Sequence, residues 1–263
     1  MKRQLKALVN RFPRLKAVLR RLLPSRGVSS HYVELGGAEA AQESSRLRDA
    51  WQDNHLPTRQ RELVDRQLAD YRRGAGIDVF DVLVNALRKL NGQRTPLRVL
   101  EIGCSSGYYG EVLQIAGVNA SYEGCDYSDS FIALARERYP QWTFQVQDAT
   151  KLDYPDRSFD VAISGCCLLH IPEYESAVAE TARVADRYAI FHRTPVLLGQ
   201  PNKTFRKLAY GVETVEIHFN EPDFLALLTR HGLDPIETLT LDESVVSGVG
   251  SASRTYVCRK RTP

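Results

Sequence analysis

The chain has no apolar run approaching the roughly 20 residues that cross a bilayer as a helix, so none of its 263 residues reads as a membrane span. It shows no apolar core and cleavage site of a secretory signal, because charges are spread along its first residues. Cysteine is scarce. There are five, an odd number, at 104, 125, 166, 167 and 258. Most lie in or at the ends of apolar, strand-like runs, which excludes a disulfide framework or a spaced zinc site. No metal site is expected. The adjacent Cys166 and Cys167 read as small buried residues at a strand end, since free cysteine packs as a small hydrophobe. A reducing, cytoplasmic setting follows. There is no internal repeat and no low-complexity block.

Acid is missing from residues 1–26, which hold nine Lys or Arg. The rest of the chain sets 26 basic residues against 32 acidic ones and is about six charges negative. The basic balance therefore belongs to a tail. A nucleic-acid groove across the protein is not implied, and no nucleic-acid partner is expected. In the tail, Leu5, Leu8, Val9, Phe12, Leu15, Val18, Leu19, Leu22 and Leu23 recur at helical spacing with Lys and Arg between them. Pro13 kinks or splits that pattern. A basic amphipathic helix suits an anionic membrane surface, here the inner face, or a partner groove. The other reading is a solvated helix packing its apolar face on its own domain. Oligomeric state is not readable.

With 43% hydrophobic and 25% charged residues, the chain is an ordinary globular protein with one sizeable core and appendages. Three regions are expected: the basic helix over 1–26, a linker and helical cap over 27–95, and an α/β domain over 96–263. The stretch 24–38 reads as linker. Residues 42–73 are charged and helical, broken near Pro57, and a second helix over 77–90 ends at Asn91-Gly92. From Leu97, strands over 98–103, 120–126, 143–148, 159–165 and 188–194 alternate with helices over 107–117, 129–138 and 173–185. An irregular insertion follows, then a helix over 222–231. Closing strands over 235–241 and 254–259 flank a Ser/Gly-rich loop over 245–253.

The most informative stretch is Val99-Leu-Glu-Ile-Gly-Cys-Ser-Ser-Gly-Tyr-Tyr-Gly110. A strand runs into a glycine turn and a helix, the start of a nucleotide-binding half. The spacing is Gly103-x-x-x-Gly107-x-x-Gly110, not Gly-x-Gly-x-x-Gly, and Glu101 places a carboxylate beside the turn. A pyrophosphate at a helix N-terminus wants positive potential, and the carboxylate repels it. A ligand with an ammonium and a sulfonium, S-adenosylmethionine, is welcomed. Asp126 ends the second strand, where an acid accepts from ribose hydroxyls. Asp148 ends the third, followed by Ala149, and suits an adenine amine. Three acids at three successive strand ends fit one adenosine with a cationic tail.

On these residues, with 122–128, 147–165 and the Cys-Cys-Leu-Leu-His-Ile-Pro turn at 166–172, the chain resembles the class I S-adenosylmethionine-dependent methyltransferases, particularly the small type 11 group. The resemblance covers about 96–242. It implies a Rossmann-like, mostly parallel seven-stranded sheet, over which the helices read ahead of the first strand are expected to form an N-terminal cap. It implies cofactor contacts at Glu101, Gly103, Cys104, Gly107, Asp126, Tyr127, Asp148, Ala149 and Ser164. Ser105 stands where the family has its middle glycine. Methyl transfer needs alignment and exclusion of water, and an oxygen acceptor also wants a base. His170 after strand four, His192 at the end of strand five, and His218, sharing a face with Glu216 in the insertion, are the candidates. Arg193 is placed to pair with an acidic substrate or with an acid of the cap. The expected function is methyl transfer, through oxygen, to a small-molecule, sugar or lipid-linked glycan acceptor. The alternatives are a non-catalytic scaffold or sensor that binds the same cofactor, and an NAD-dependent oxidoreductase, which Glu101 and the glycine spacing disfavour.

Overall fold

A computed structural model describes residues 29–90, 96–246 and 249–261. The chain divides into two units, Met1–Ser30 and His31–Pro263, and the second is considered below. The basic helix expected over 1–26 lies outside the described residues. Among the described residues no helix is long and apolar enough to cross a membrane.

The elements in chain order are β1 (Ser29–Leu35), α1 (Gly37–Arg46), a 3-10 turn (Ala50–Gln52), α2 (Leu56–Arg72), α3 (Asp78–Leu90), β2 (Leu97–Ile102), α4 (Tyr108–Ile115), β3 (Ala120–Asp126), α5 (Asp129–Arg138), β4 (Thr143–Val146) and β5 (Phe159–Gly165). A second 3-10 turn (Leu168–His170), α6 (Tyr174–Val184), β6 (Ala185–Leu197), β7 (Lys203–Ala209), β8 (Val212–Asn220), α7 (Glu221–Arg230), β9 (Leu233–Val246) and β10 (Val249–Lys260) follow. Local chemistry accounts for several boundaries. Helix α3 carries Asp78 and Asp81 in its first turn and Arg88 and Lys89 in its last, matching the helix dipole. At the start of α7 the Asn220 side chain accepts from the Asp223 amide at 3.0 Å, and Pro222 occupies the first turn.

The central sheet runs β4-β3-β2-β5-β6-β10-β9. The pairs β3/β4, β2/β3, β2/β5 and β5/β6 are parallel, while β10 is antiparallel to both β6 and β9. Alternate residues of each strand feed opposite faces. Val99, Val161, Ile163 and Ile190 pack with Phe80, Leu83, Leu87, Tyr109 and Val112 on one side. Leu100, Ala162, Ala189 and Phe191 pack with Val178, Phe224 and Leu228 on the other. Each Val, Leu, Ile or Phe side chain among them taken from water contributes roughly 1.5–3 kcal/mol. Both faces of β5 are covered, which is why Phe159-Asp-Val-Ala-Ile-Ser-Gly165 reads as a nearly continuous apolar run.

Four expectations are corrected. The seven-stranded sheet is the core of a ten-stranded one. Strand β6 continues past the end of β5, and Val196 and Leu197 pair in parallel with Phe219 and Asn220 of β8. The expected irregular insertion is thus a regular leaf, β1-β7-β8, branching from the end of β6. Its β7/β8 hairpin closes on Tyr210-Gly211, both at positive φ (50° and 82°), the geometry of a two-residue primed turn. A tyrosine in the first turn position hid that signal. The expected linker over 24–38 contains β1 and the start of α1. The expected loop over 245–253 belongs to the long β9/β10 hairpin. There Ser251 is held between Leu197 and Ser244, and two flanking strands supply what its β-propensity does not.

Candidate functional site

The glycine turn leaves β2 at its carboxyl end, where open α/β sheets bind ligands. Gly103 has φ +73°, and a Cβ there would run into the Cys167 side chain. Gly107 caps α4 at φ +71°, with the Phe144 ring 2.5 Å from where a Cβ would stand. Both positions require glycine. Ser105, in place of the family's middle glycine, also sits in the left-handed region, at φ 45°. Its amide donates to Asp126 at 2.9 Å, which offsets part of that strain.

Glu101 is buried beneath the turn, 1% exposed. The Tyr122 hydroxyl donates to its carboxylate. Burial outweighs that bond and pushes the Glu101 carboxyl up to about 8. A Cβ at Gly165 would lie 2.5 Å from Glu101 Oε1. Gly165 therefore makes the space for this carboxylate, a role that sequence reasoning missed. The signal was a glycine closing an otherwise apolar strand. Asp126, at the end of β3, accepts from the amides of Ser105 (2.9 Å) and Ser128 (3.0 Å), and burial still raises it to about 6. Tyr127 follows, and its hydroxyl donates to the Arg48 carbonyl at 3.1 Å, tying the segment after α1 to this strand end. Asp148 is exposed and accepts from the amide (2.8 Å) and hydroxyl (2.7 Å) of Thr150. Ala149 is half-buried beside it.

Other expected contacts lie deeper. Cys104 is buried, and its amide, like that of Gly103, already donates to the Cys125 carbonyl (2.9 and 2.8 Å). Ser164 is buried with its hydroxyl 3.4 Å from Cys167 Sγ. Both residues shape the underside of the turn.

The three histidines do not converge as free bases. His192 is 1% exposed, with Nε2 2.9 Å from the Tyr109 hydroxyl and Nδ1 2.9 Å from Thr255 Oγ1. His218 places Nε2 2.7 Å from Glu216 and Nδ1 3.2 Å from Ser251 Oγ, and the Lys207 ammonium also bonds Glu216. The expected face of β8 bearing Glu216 and His218 is real, but both faces of that strand are buried. In His170, Nδ1 donates to the Val215 carbonyl at 2.6 Å, and the ring lies 4.6 Å from that of Trp51. Its Nε2 has no hydrogen-bond partner among the described residues. Burial drives all three down, His170 and His192 to about 3 and His218 to about 4. They are neutral at physiological pH.

These residues can be tested against the cationic nucleoside that the resemblance implies. A buried carboxylate with one hydroxyl donor accommodates an ammonium, and a second buried carboxylate accommodates a diol. Neither accommodates a pyrophosphate. Trp51 Nε1, Arg193 Nε and Thr214 Oγ1 are buried polar atoms without a hydrogen-bond partner among the described residues. Such atoms are rare in native proteins and call for an explanation.

A family model described as a methyltransferase domain matches residues 99–187. A probable S-adenosylmethionine-dependent methyltransferase of Mycolicibacterium smegmatis is 31% identical over 157 residues, 59% of this chain and 57% of that protein. The chain thus spans little more than half the length of that curated relative. Among solved structures, the magnesium protoporphyrin IX methyltransferase of Synechocystis PCC 6803, with bound S-adenosylmethionine, is similar at TM-score 0.56 and 18% identity, over 83% of this chain and 97% of that one. The 1,6-didemethyltoxoflavin-N1-methyltransferase of Burkholderia thailandensis is similar at TM-score 0.53 and 18% identity, over 76% and 88%. At these identities the structures speak for the fold, and it is the Rossmann-like one expected.

Proposed function

We propose, from the match of residues 99–187 to a methyltransferase domain, that this chain is a class I S-adenosylmethionine-dependent methyltransferase that methylates a small molecule. S-adenosylmethionine is its cofactor. The observation that carries the reading is the set of three carboxylates at the carboxyl ends of successive strands: Glu101 next to last in β2, Asp126 closing β3, and Asp148 two residues past the end of β4, which stops at Val146 and not at 148 as expected. Glu101 would hold the ammonium, Asp126 the ribose hydroxyls, and Asp148 with Ala149 the adenine amine, with Tyr127 against the ribose or adenine. Gly103 and Gly107 let the backbone approach, while Cys104 and Ser164 keep the turn in shape. When bound, the cofactor supplies a methyl group already activated by a sulfonium. The protein's part is to align the acceptor and exclude water.

The acceptor atom in this reading is oxygen, on a small molecule, a sugar or a lipid-linked glycan. A small acceptor is supported by the two structural neighbours, named for a magnesium porphyrin and 1,6-didemethyltoxoflavin. His170, with its free Nε2, would accept a hydrogen bond from the acceptor hydroxyl. Held at about 3 by burial, it orients the hydroxyl more than it takes the proton. His192 and His218 act as positioning residues. The basic pattern of residues 1–26 supports a place in the cytoplasm at the inner face of the membrane.

Calorimetry with S-adenosylhomocysteine tests the reading. Micromolar binding is expected, with NAD far weaker. Tight NAD binding with no signal from S-adenosylhomocysteine refutes it.

A further inference from the structure

Just beyond the end of β5, the structure gathers cations that the cofactor site leaves unused. Gly165 and His192 are the last paired residues of β5 and β6. Arg193 therefore emerges past the carboxyl end of β5, on the side where a ligand would lie. Its φ is +60°, so the chain bends where this side chain leaves the strand. Arg193 forms no ion pair among the described residues, and its Nε is buried without a hydrogen-bond partner. The residue is half-buried as a whole.

Lys207 of β7, 5% exposed, stands opposite Thr214 of β8. Directly paired residues of adjacent strands share a face. Thr214 is fully buried, and its hydroxyl also has no partner. Val196 of β6 pairs in parallel with Phe219 of β8, so Arg193, three residues before Val196, lies at the level of Glu216, three before Phe219, and Glu216 is the residue that the Lys207 ammonium bonds. The charges around the pair are few. Glu216 is the carboxylate that Lys207 bonds, and His170, His192 and His218 are neutral. Two cations thus share one carboxylate, and the surplus positive charge lies with Arg193. An uncompensated charge in a low-dielectric site is costly and calls for a counter-ion.

We propose that Arg193, together with Lys207 and Thr214, is an anion-binding subsite for the methyl acceptor, and that the acceptor carries a carboxylate or phosphate group. This rests on the methyltransferase reading and narrows it. The guanidinium offers the planar fork that suits either oxyanion, and Thr214 adds a hydroxyl donor on the face Lys207 shares. The same chemistry could be met by the carboxylate of the cofactor itself, and the experiment separates the two.

The full chain is saturated with S-adenosylhomocysteine, and its melting temperature is followed while inorganic phosphate, succinate or citrate is titrated in. Ionic strength is held constant with chloride, and glycerol and glucose serve as neutral controls. At least one oxyanion should stabilise the complex saturably, while the neutral controls do not. Arg193→Gln should weaken that response at least tenfold and change S-adenosylhomocysteine affinity less than threefold. An equal oxyanion response in the variant, or none in the wild type, overturns the proposal. A tenfold or greater loss of S-adenosylhomocysteine affinity in Arg193→Gln also overturns it, assigning the cation to the cofactor carboxylate. Should that variant fail to fold, Thr214→Val reads the same response. Failure of the wild type to bind S-adenosylhomocysteine refutes the methyltransferase reading itself, whereas binding without an oxyanion response refutes only this subsite.

Discussion

Replacing Glu101 by Gln should stabilise the protein and weaken its ligand at the same time. The folded protein holds this carboxyl at about 8 against an ordinary 4.5. Between those values the native state keeps a proton that the unfolded chain releases. Stability is therefore full below pH 4.5, falls as pH rises toward 8, and levels off above it. At 1.36 kcal/mol per pH unit, the loss by pH 7 is roughly 3 kcal/mol. Glutamine has no proton to lose, and the Tyr122 hydroxyl can donate to its amide oxygen as it does to the carboxylate. The unmet bonds of the amide nitrogen trim the gain. The variant without ligand should melt roughly 5–10 °C higher at pH 7, and the difference should vanish near pH 4.5. Binding moves the opposite way. A lost hydrogen bond between charged groups costs about 1.5–3 kcal/mol, so S-adenosylhomocysteine should bind roughly 10- to 150-fold more weakly. In the wild type, affinity should fall by up to about tenfold per pH unit below 8. In the variant a slope should remain only below pH 6, from Asp126, which burial raises to about 6. Calorimetry and thermal melts across pH 5–9 read both quantities. A variant that is less stable than wild type, yet binds S-adenosylhomocysteine equally well, would refute the argument.

Gly103→Ala meets both a positive φ and the Cys167 side chain; urea melts should show a loss above about 2 kcal/mol, and S-adenosylhomocysteine binding should disappear. His192→Ala strips the Tyr109 and Thr255 hydroxyls of a partner and should cost about 2–4 kcal/mol in the same assay. Because His192 sits at about 3, the pH–rate profile of that variant between 6 and 9 should keep the wild-type shape; loss of an inflection near neutrality would restore His192 as a base. Deleting residues 1–26 should abolish flotation with anionic vesicles while leaving S-adenosylhomocysteine affinity intact, and unchanged flotation would point to packing of the tail on its own domain.

The glycine turn and the order of acids were legible because each rests on local chemistry. A strand ending in Glu-Ile-Gly needs a left-handed residue at Gly103, and Asp126 closes β3, while Asp148 lies two residues beyond β4, which ends at Val146. The helices of the cap were legible by their periodicity. The leaf was not. Its strands alternate Lys, Arg and Glu with apolar residues, a pattern equally suited to an exposed loop, and its hairpin turns on Tyr210-Gly211. Gly165 as the space-maker for Glu101 was also invisible, because the two are 64 positions apart and meet only through the pairing of β2 with β5.

The sequence by itself determined the elements around the candidate site, since backbone sterics and hydrophobic periodicity act over a few residues. Only the tertiary structure decided which polar groups have partners. It engaged both ring nitrogens of His192 and of His218, left Arg193 without an ion pair among the described residues and raised Glu101 far above a free carboxyl. The charge state and hydrogen bonding of a side chain depend on how much water it has lost and on what faces it across the fold, and neither is a property of its neighbours along the chain.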